Sequence, residues 1–112
     1  MNMHKGKPAV STALFGGRGE VRVYNLLETP APPFTAVLSC ELSPGGTVGA
    51  HVQQADPEIV LGVEGDGVAV VDDKTHVLGA GDLVFLPLGS VLSLENRSST
   101  AWLKYLIIKT RG

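Results

Sequence analysis

Glycine and proline interrupt this chain so frequently that only short regular segments fit between them. Its 112 residues include 14 glycines and 7 prolines. The intervals between them are rich in Val, Leu and Ile, with apolar residues at every second position, which is typical of β-strands. No segment keeps the period of a helix over a sufficient length. We therefore predict about nine short strands and an all-β sandwich or barrel.

The predicted strands follow an N-terminal arm at residues 1–19, which includes a short strand near residues 9–14. In the strand at 34–42, every second residue is apolar, so one of its faces should belong to the core. Closely spaced turn residues over 58–79 predict a meander of hairpins. The nine predicted strands cover residues 20–28, 34–42, 47–52, 58–65, 67–73, 75–82, 82–87, 90–96 and 101–109.

Composition and charge exclude several classes of protein. Apolar residues make up 44% and charged residues 18%, with a net charge of −2. This balance argues against disorder and against a basic surface for nucleic acid. The single cysteine, Cys40, cannot form an internal disulfide, and the first ten residues lack the apolar centre of a signal peptide. No apolar run approaches the roughly 20 residues that cross a bilayer, so we predict a cytoplasmic protein with no membrane or nucleic-acid partner.

Two sets of spaced residues stand out against this background. In the first, Gly45 is followed after five residues by His51, then by Gln53, by Glu58 after four more residues, and by Gly65 after six. The second set is Gly81, Pro87, Gly89, Leu92 and Asn96.

These spacings resemble the two sequence motifs of the cupin family, with Gln53 and Leu92 at positions where that family usually has histidine. The resemblance covers roughly residues 34–109 and implies a small single-domain cupin: an all-β double-stranded β-helix, or jelly-roll, barrel around a central pocket. We predict one domain at residues 1–112, with the barrel at 34–109.

The resemblance also implies a metal site that has lost part of its ligands. Cupins commonly hold a transition metal with three histidines and one glutamate, whose nitrogen and oxygen atoms suit such ions. His51 and Glu58 are retained here, whereas Gln53 offers only a weakly ligating carbonyl oxygen and Leu92 offers nothing. We predict either no cofactor or a weakly bound divalent transition metal at His51, Gln53 and Glu58.

Without metal, His51 and Glu58 have two other possible roles. His51 can form a hydrogen bond with Glu58 or Gln53 and complete a polar cluster in the barrel mouth. The two side chains can also act as a general acid and base, as in sugar-modifying cupins, which makes them candidate catalytic residues. Leu92 and Cys40 are predicted to line the pocket, with Cys40 acting as a small buried hydrophobic residue.

Three functions are compatible with these features. The favoured one is a cupin that binds a small organic molecule in its barrel. The alternative is an enzyme using His51 and Glu58, either a metal-dependent oxygenase or a sugar isomerase or epimerase. A structural module acting through a dimer surface is the third. Because small cupins commonly pair through edge strands, we predict a homodimer that uses residues 101–109 and the early strand at 20–27.

Overall fold

The computed structural model describes His4 and residues 6–111. Within that part of the chain, no helix has the length and apolar character needed to cross a membrane. A single short 3-10 turn lies at Leu14–Gly16. The ten strands of the described residues are β1 (Ala9–Thr12), β2 (Glu20–Asn25), β3 (Phe34–Leu42), β4 (Thr47–Val52), β5 (Glu58–Glu64), β6 (Gly67–Val71), β7 (Lys74–Leu78), β8 (Leu83–Leu86), β9 (Val91–Asn96) and β10 (Leu103–Thr110).

The strands form two antiparallel sheets that face each other. One sheet has the order β1-β2-β3-β10-β5-β8, and the other has the order β4-β9-β6-β7. Alternate residues of each strand point inward, and together they build one continuous apolar core. This arrangement confirms the predicted all-β jelly-roll barrel. The largest fully buried apolar side chains are Leu42, Leu78, Leu86, Leu92 and Leu103.

Most connections carry the chain from one sheet to the other, which corrects the predicted meander over residues 58–79. β5 pairs with β8 and β10, whereas β6 pairs with β7 and β9. Within residues 58–79, only β6 and β7 form a hairpin, whose tip residues Asp72 and Asp73 have φ values of 47° and 67°. Both β5 and β6 have inward apolar residues, and placing them in opposite sheets lets each cover the other.

The core face predicted for residues 34–42 is only partly correct. The bounds of β3 agree, but Phe34 at its start is 47% exposed. Towards the other end both faces are buried, since Ser39 and Glu41 are covered as well as Cys40. His4 contributes to that cover, because its Nε2 lies 3.0 Å from a carboxylate oxygen of Glu41.

The predicted N-terminal arm is attached to the barrel from Ala9 onward. β1 pairs with β2, and the turn at Leu14–Gly16 packs against β4. This contact is close: a Cβ atom on Gly49 would overlap the carbonyl of Phe15, so a side chain at position 49 would push the turn away. Residues 1–3 and 5, also part of the predicted arm, lie outside the described residues.

The strands predicted to form a dimer edge are not edge strands. β10 lies between β3 and β5, and β2 lies between β1 and β3. Their backbone hydrogen-bonding groups are therefore already paired on both sides. The long apolar run at 101–109 reflects a central position in the larger sheet, where residues on the inner face join the core.

Asn96, the last residue of the second motif, ties two loops together at one end of the barrel. It is 1% exposed at the end of β9. Its side-chain Nδ2 lies 3.1 Å from the carbonyl oxygens of Leu42 and Ser43 and 2.8 Å from that of Ala101. Its Oδ1 accepts a hydrogen bond from the backbone N–H of Ser98 at 3.0 Å. The Asn96 amide thus satisfies backbone hydrogen-bonding groups in the turns that follow β3 and β9.

Replacing Asn96 by Asp is expected to lower the free energy of unfolding by about 2–3 kcal/mol, because a carboxylate cannot donate to the surrounding carbonyls. Urea denaturation measures this loss. Asn25→Asp is the matched control: its Oδ1 only accepts from Leu27 N–H at 3.1 Å, a role that aspartate keeps. Equal losses in the two variants would contradict the proposed role of Asn96.

Candidate functional site

A cavity of about 450 Å³ lies between the two sheets. Most of its wall is apolar, whereas polar side chains gather where the loop at residues 53–57 joins β5. A concave, mostly apolar space with a few grouped polar side chains is the usual form of a small-molecule site. The apolar wall includes Val21, Leu38, Val48, Leu92, Leu94 and Ile107.

A β-bulge directs His51 into this cavity. Val48 pairs with Leu94 and His51 pairs with Leu92, so β4 has one more residue than β9 between the two pairs. In a regular strand, residues 48 and 51 would face opposite sides, but the extra residue places both on the inner face. Leu92 is 1% exposed and also lines the cavity, next to His51.

The contacts of His51 differ from those predicted. Its Nδ1 lies 2.9 Å from the carbonyl oxygen of Gly49, and its ring stacks on Phe15 with centroids 4.0 Å apart and planes at 13°. The predicted hydrogen bond from His51 to Glu58 or Gln53 is therefore wrong. Since a carbonyl oxygen can only accept, Nδ1 carries a proton, and this leaves Nε2 for a ligand.

Glu58 is a carboxyl group enclosed at the polar end of the cavity. It is 4% exposed, and the Gln53 amide donates a hydrogen bond to its Oε1. Its Oε2 is shielded from solvent and has no hydrogen-bond partner among the described residues. The Lys109 ammonium lies 3.9 Å from Oε1. Burial raises the pKa of Glu58, an effect that Lys109, the Gln53 hydrogen bond and His51 oppose. This carboxyl group therefore keeps its proton to a higher pH than usual.

Cys40 and Tyr105 form a neutral part of the wall. They are cross-strand partners on β3 and β10, and each is 2% exposed. Burial, reinforced by the charge of Glu58, raises the pKa of Cys40 to about 12. Burial likewise raises the pKa of Tyr105. Cys40 therefore stays a thiol at physiological pH and lacks the thiolate that nucleophilic or metal chemistry needs.

The four positions that the resemblance assigns to a metal offer an incomplete ligand set. Leu92 has no donor atom, and the Gln53 side chain already contacts Glu58 and, at 3.4 Å, the carbonyl of Asp56. Among His4 and residues 6–111, no three His, Cys, Asp or Glu side chains are grouped to hold a metal ion. His51 and Glu58 both line the cavity, but the rest of a transition-metal ligand set is missing around them.

The residues of the site that the sequence analysis missed include Phe15, Asp56 and Lys109. Lys109 was detectable, because it follows Tyr105 and Ile107 at every second position of β10. Asp56 lies in the loop after β4, where no periodicity indicates direction. Phe15 reaches His51 only because the N-terminal arm folds back onto β4, and no local pattern reports such a contact.

Glu58 should make stability depend on pH. In the folded state, the pKa of Glu58 is raised above the ordinary value of 4.5. Below pH 4.5, its stabilising contribution to the free energy of unfolding is therefore fully present. The contribution is lost as pH rises through the folded-state pKa. Glu58→Gln keeps the shape and the acceptor for Gln53 but cannot titrate. Denaturation at a series of pH values should show wild type losing stability relative to this variant as pH rises.

Glu64→Gln is the control for that measurement, since Glu64 belongs to the same strand but has a side chain 67% exposed. Its stability should run parallel to that of wild type. If the Glu58→Gln and wild-type curves also ran parallel, burial would not be perturbing this carboxyl group.

Comparisons with known proteins agree on the family. A family model described as the cupin domain matches residues 38–109. An oxalate-binding protein of Thermotoga maritima is 36% identical over 87 residues, covering 76% of this chain and 72% of that protein. A dimethylsulfoniopropionate lyase of Ruegeria pomeroyi is 37% identical over 71 residues, covering 62% of this chain but 46% of the lyase.

One solved structure is similar to this chain along almost its whole length. It is a Thermotoga maritima protein described as a "predicted oxalate decarboxylase", with a TM-score of 0.90 and 27% identity, covering 99% of this chain and 97% of that one. The family model alone spans more than half of the sequence, and the fold has the two facing sheets that the motifs indicated. The chain therefore belongs to the cupin family.

Proposed function

We propose that this cupin binds a small organic molecule in its barrel cavity. The observation that carries the proposal is the cavity itself, about 450 Å³ in volume, with an apolar wall and one polar end. Pockets of this size and character accommodate small organic ligands. The oxalate-binding relative supports a binding role and makes oxalate one compound to test. A weakly bound divalent transition metal and a cytoplasmic location stay predictions.

Binding in the cavity should be blocked by filling it. Ile107→Trp places an indole in the cavity and should weaken ligand binding at least about tenfold, a loss of about 1.4 kcal/mol. A panel of oxalate and of neutral and charged fragments, followed by NMR shifts of cavity residues, identifies the ligands for this comparison.

Val77→Trp is the control, because Val77 is 69% exposed on β7 and does not line the cavity. It should bind the same fragments as wild type. The proposal fails if no fragment shifts the cavity resonances, or if both tryptophan variants bind as wild type does.

An acid and base enzyme is a second candidate, favoured by the raised pKa of Glu58. His51 and Glu58 line the same cavity, and burial raises the pKa of the carboxyl group. A carboxyl group with a raised pKa and an imidazole nitrogen left for a ligand suit isomerisation or epimerisation of a sugar. The oxygenase alternative depends on a metal, for which the donors around His51 form an incomplete set.

We also propose that the chain forms a homodimer through the outer face of its larger sheet. Leu106, Leu61 and Leu83 lie side by side across β10, β5 and β8, and Ile108, Ile59 and Phe85 form a second row beside them. Leu83 and Phe85 are 59% and 60% exposed. We call these six residues, together with Val37 on β3, the outer apolar face.

The outer apolar face is suited to a second copy of the same chain. Its four strands, about 4.8 Å apart, give it a width of roughly 14 Å. Contiguous apolar patches on a protein surface often mark protein–protein interfaces. Charged side chains border it on one side, where Arg22, Glu41, Lys104 and Glu64 follow one another across the sheet. An apolar centre with a charged border of both signs is typical of the interfaces between identical subunits.

Phe85→Lys should raise the dissociation constant of the dimer at least about tenfold, because it places a charge within the apolar interface. Size-exclusion chromatography with light scattering should show wild type at twice the mass of one chain. Val77→Lys is the control, since Val77 is 69% exposed on the other sheet. A monomeric wild type, or a Phe85→Lys variant that stays dimeric, would exclude this interface.

A further inference from the structure

Resting on the proposed function, we infer that the cavity takes an uncharged molecule, with an apolar body and an amide or alcohol head, and discriminates against carboxylates. The inference follows from the charges that line the cavity, from the enclosure of Glu58 and from the hydrogen-bonding state of His51. Each of these features concerns the polar end of the cavity, where the head of a ligand would lie.

The charges lining the cavity do not favour an anion. Lys109 is the one Lys or Arg among the described residues that line it, whereas Asp56 and Glu58 are both acids. Lys109 already lies 3.9 Å from Glu58, so its charge is in part offset by that carboxyl group. Asp56 accepts a hydrogen bond from the Thr35 hydroxyl at 2.7 Å. The formal charges of Lys109, Asp56 and Glu58 therefore do not sum to a positive value at the polar end of the cavity. An incoming carboxylate would meet no excess of positive charge there.

Glu58 makes a second carboxylate still less favourable. One of its oxygens is bonded to Gln53, and the other is buried without a partner among the described residues. A ligand anion would lose its own hydration and would also repel any negative charge on Glu58. A neutral head avoids both costs, because it brings no charge into the enclosed space.

His51 adds a requirement for a donor on the ligand. Its Nδ1 proton is used by the carbonyl of Gly49, and in the neutral ring Nε2 is then an acceptor. Stacking on Phe15 holds the ring in this orientation. An amide N–H or an alcohol O–H can donate to Nε2, but a carboxylate has no proton to donate. The apolar wall, including Leu92 where the family places a histidine, accommodates the body of the ligand.

Two matched pairs of probes test the inference: benzamide against benzoate, and cyclohexanecarboxamide against cyclohexanecarboxylate. The members of each pair have nearly the same shape and differ in charge and in donor capacity. Titration of the full chain at neutral pH, followed by NMR or calorimetry, should give a dissociation constant at least about tenfold lower for each amide.

Glu58→Gln should reduce this difference by strengthening carboxylate binding, because it removes the charge that opposes the anion. Glu64→Gln, on the exposed end of the same strand, should leave the ratio unchanged. Wild type alone suffices if the Glu58 variant does not fold, since the ratio within each pair is the primary measurement.

The outcomes separate this inference from the proposed function. Carboxylates that bind in the cavity as tightly as the amides, or more tightly, would overturn the inference and leave small-molecule binding intact. The inference is also wrong if only anionic fragments of the panel bind. If no neutral or charged probe shifts the cavity resonances, small-molecule binding itself fails.

Discussion

Burial of two apolar sheet faces against each other is the constraint on which this structure depends. Each strand is too short and too apolar on its inner side to be stable alone. Because most connections cross between the sheets, residues that are neighbours in sequence come to lie on opposite walls of the barrel. Asn96 stabilises one end of the barrel by satisfying backbone groups of two turns. The cavity lies between the two sheets.

The chemistry of the cavity follows from placing polar groups in this apolar surrounding. Glu58 is enclosed because β5 is paired on both sides and its inner face points to the opposite sheet. Burial then favours the protonated carboxyl group, and Gln53 serves as its hydrogen-bond partner where the family has a second histidine. With Leu92 in the place of another histidine, the cavity has an apolar wall where the resemblance places a metal ligand, and its acids and Lys109 are grouped at one polar end. This arrangement suits the binding of an organic molecule.

The same sheet that encloses the cavity exposes an unusual outer face. Inner and outer residues alternate along β10, so Ile107 lines the cavity and Ile108 faces outward. The proposed dimer would bury the apolar residues on this outer side. The inference that β10 formed a dimer edge came from its apolar character alone. Because β10 lies between β3 and β5, its apolar residues cover the two faces of the sheet and do not form an exposed edge.

The sequence by itself determined the class of fold, the bounds of β3 and β4, and the positions of His51, Gln53, Glu58 and Leu92. These depend on local spacing: period-two apolar residues specify strands, and glycines and prolines specify the turns between them. Only the tertiary structure decided that β5 and β6 lie in opposite sheets, that a bulge turns His51 inward, and that Phe15 stacks on it. Those features arise from contacts between residues far apart in the chain. Local sequence patterns are compatible with several such arrangements, and packing and strand pairing determine which one forms.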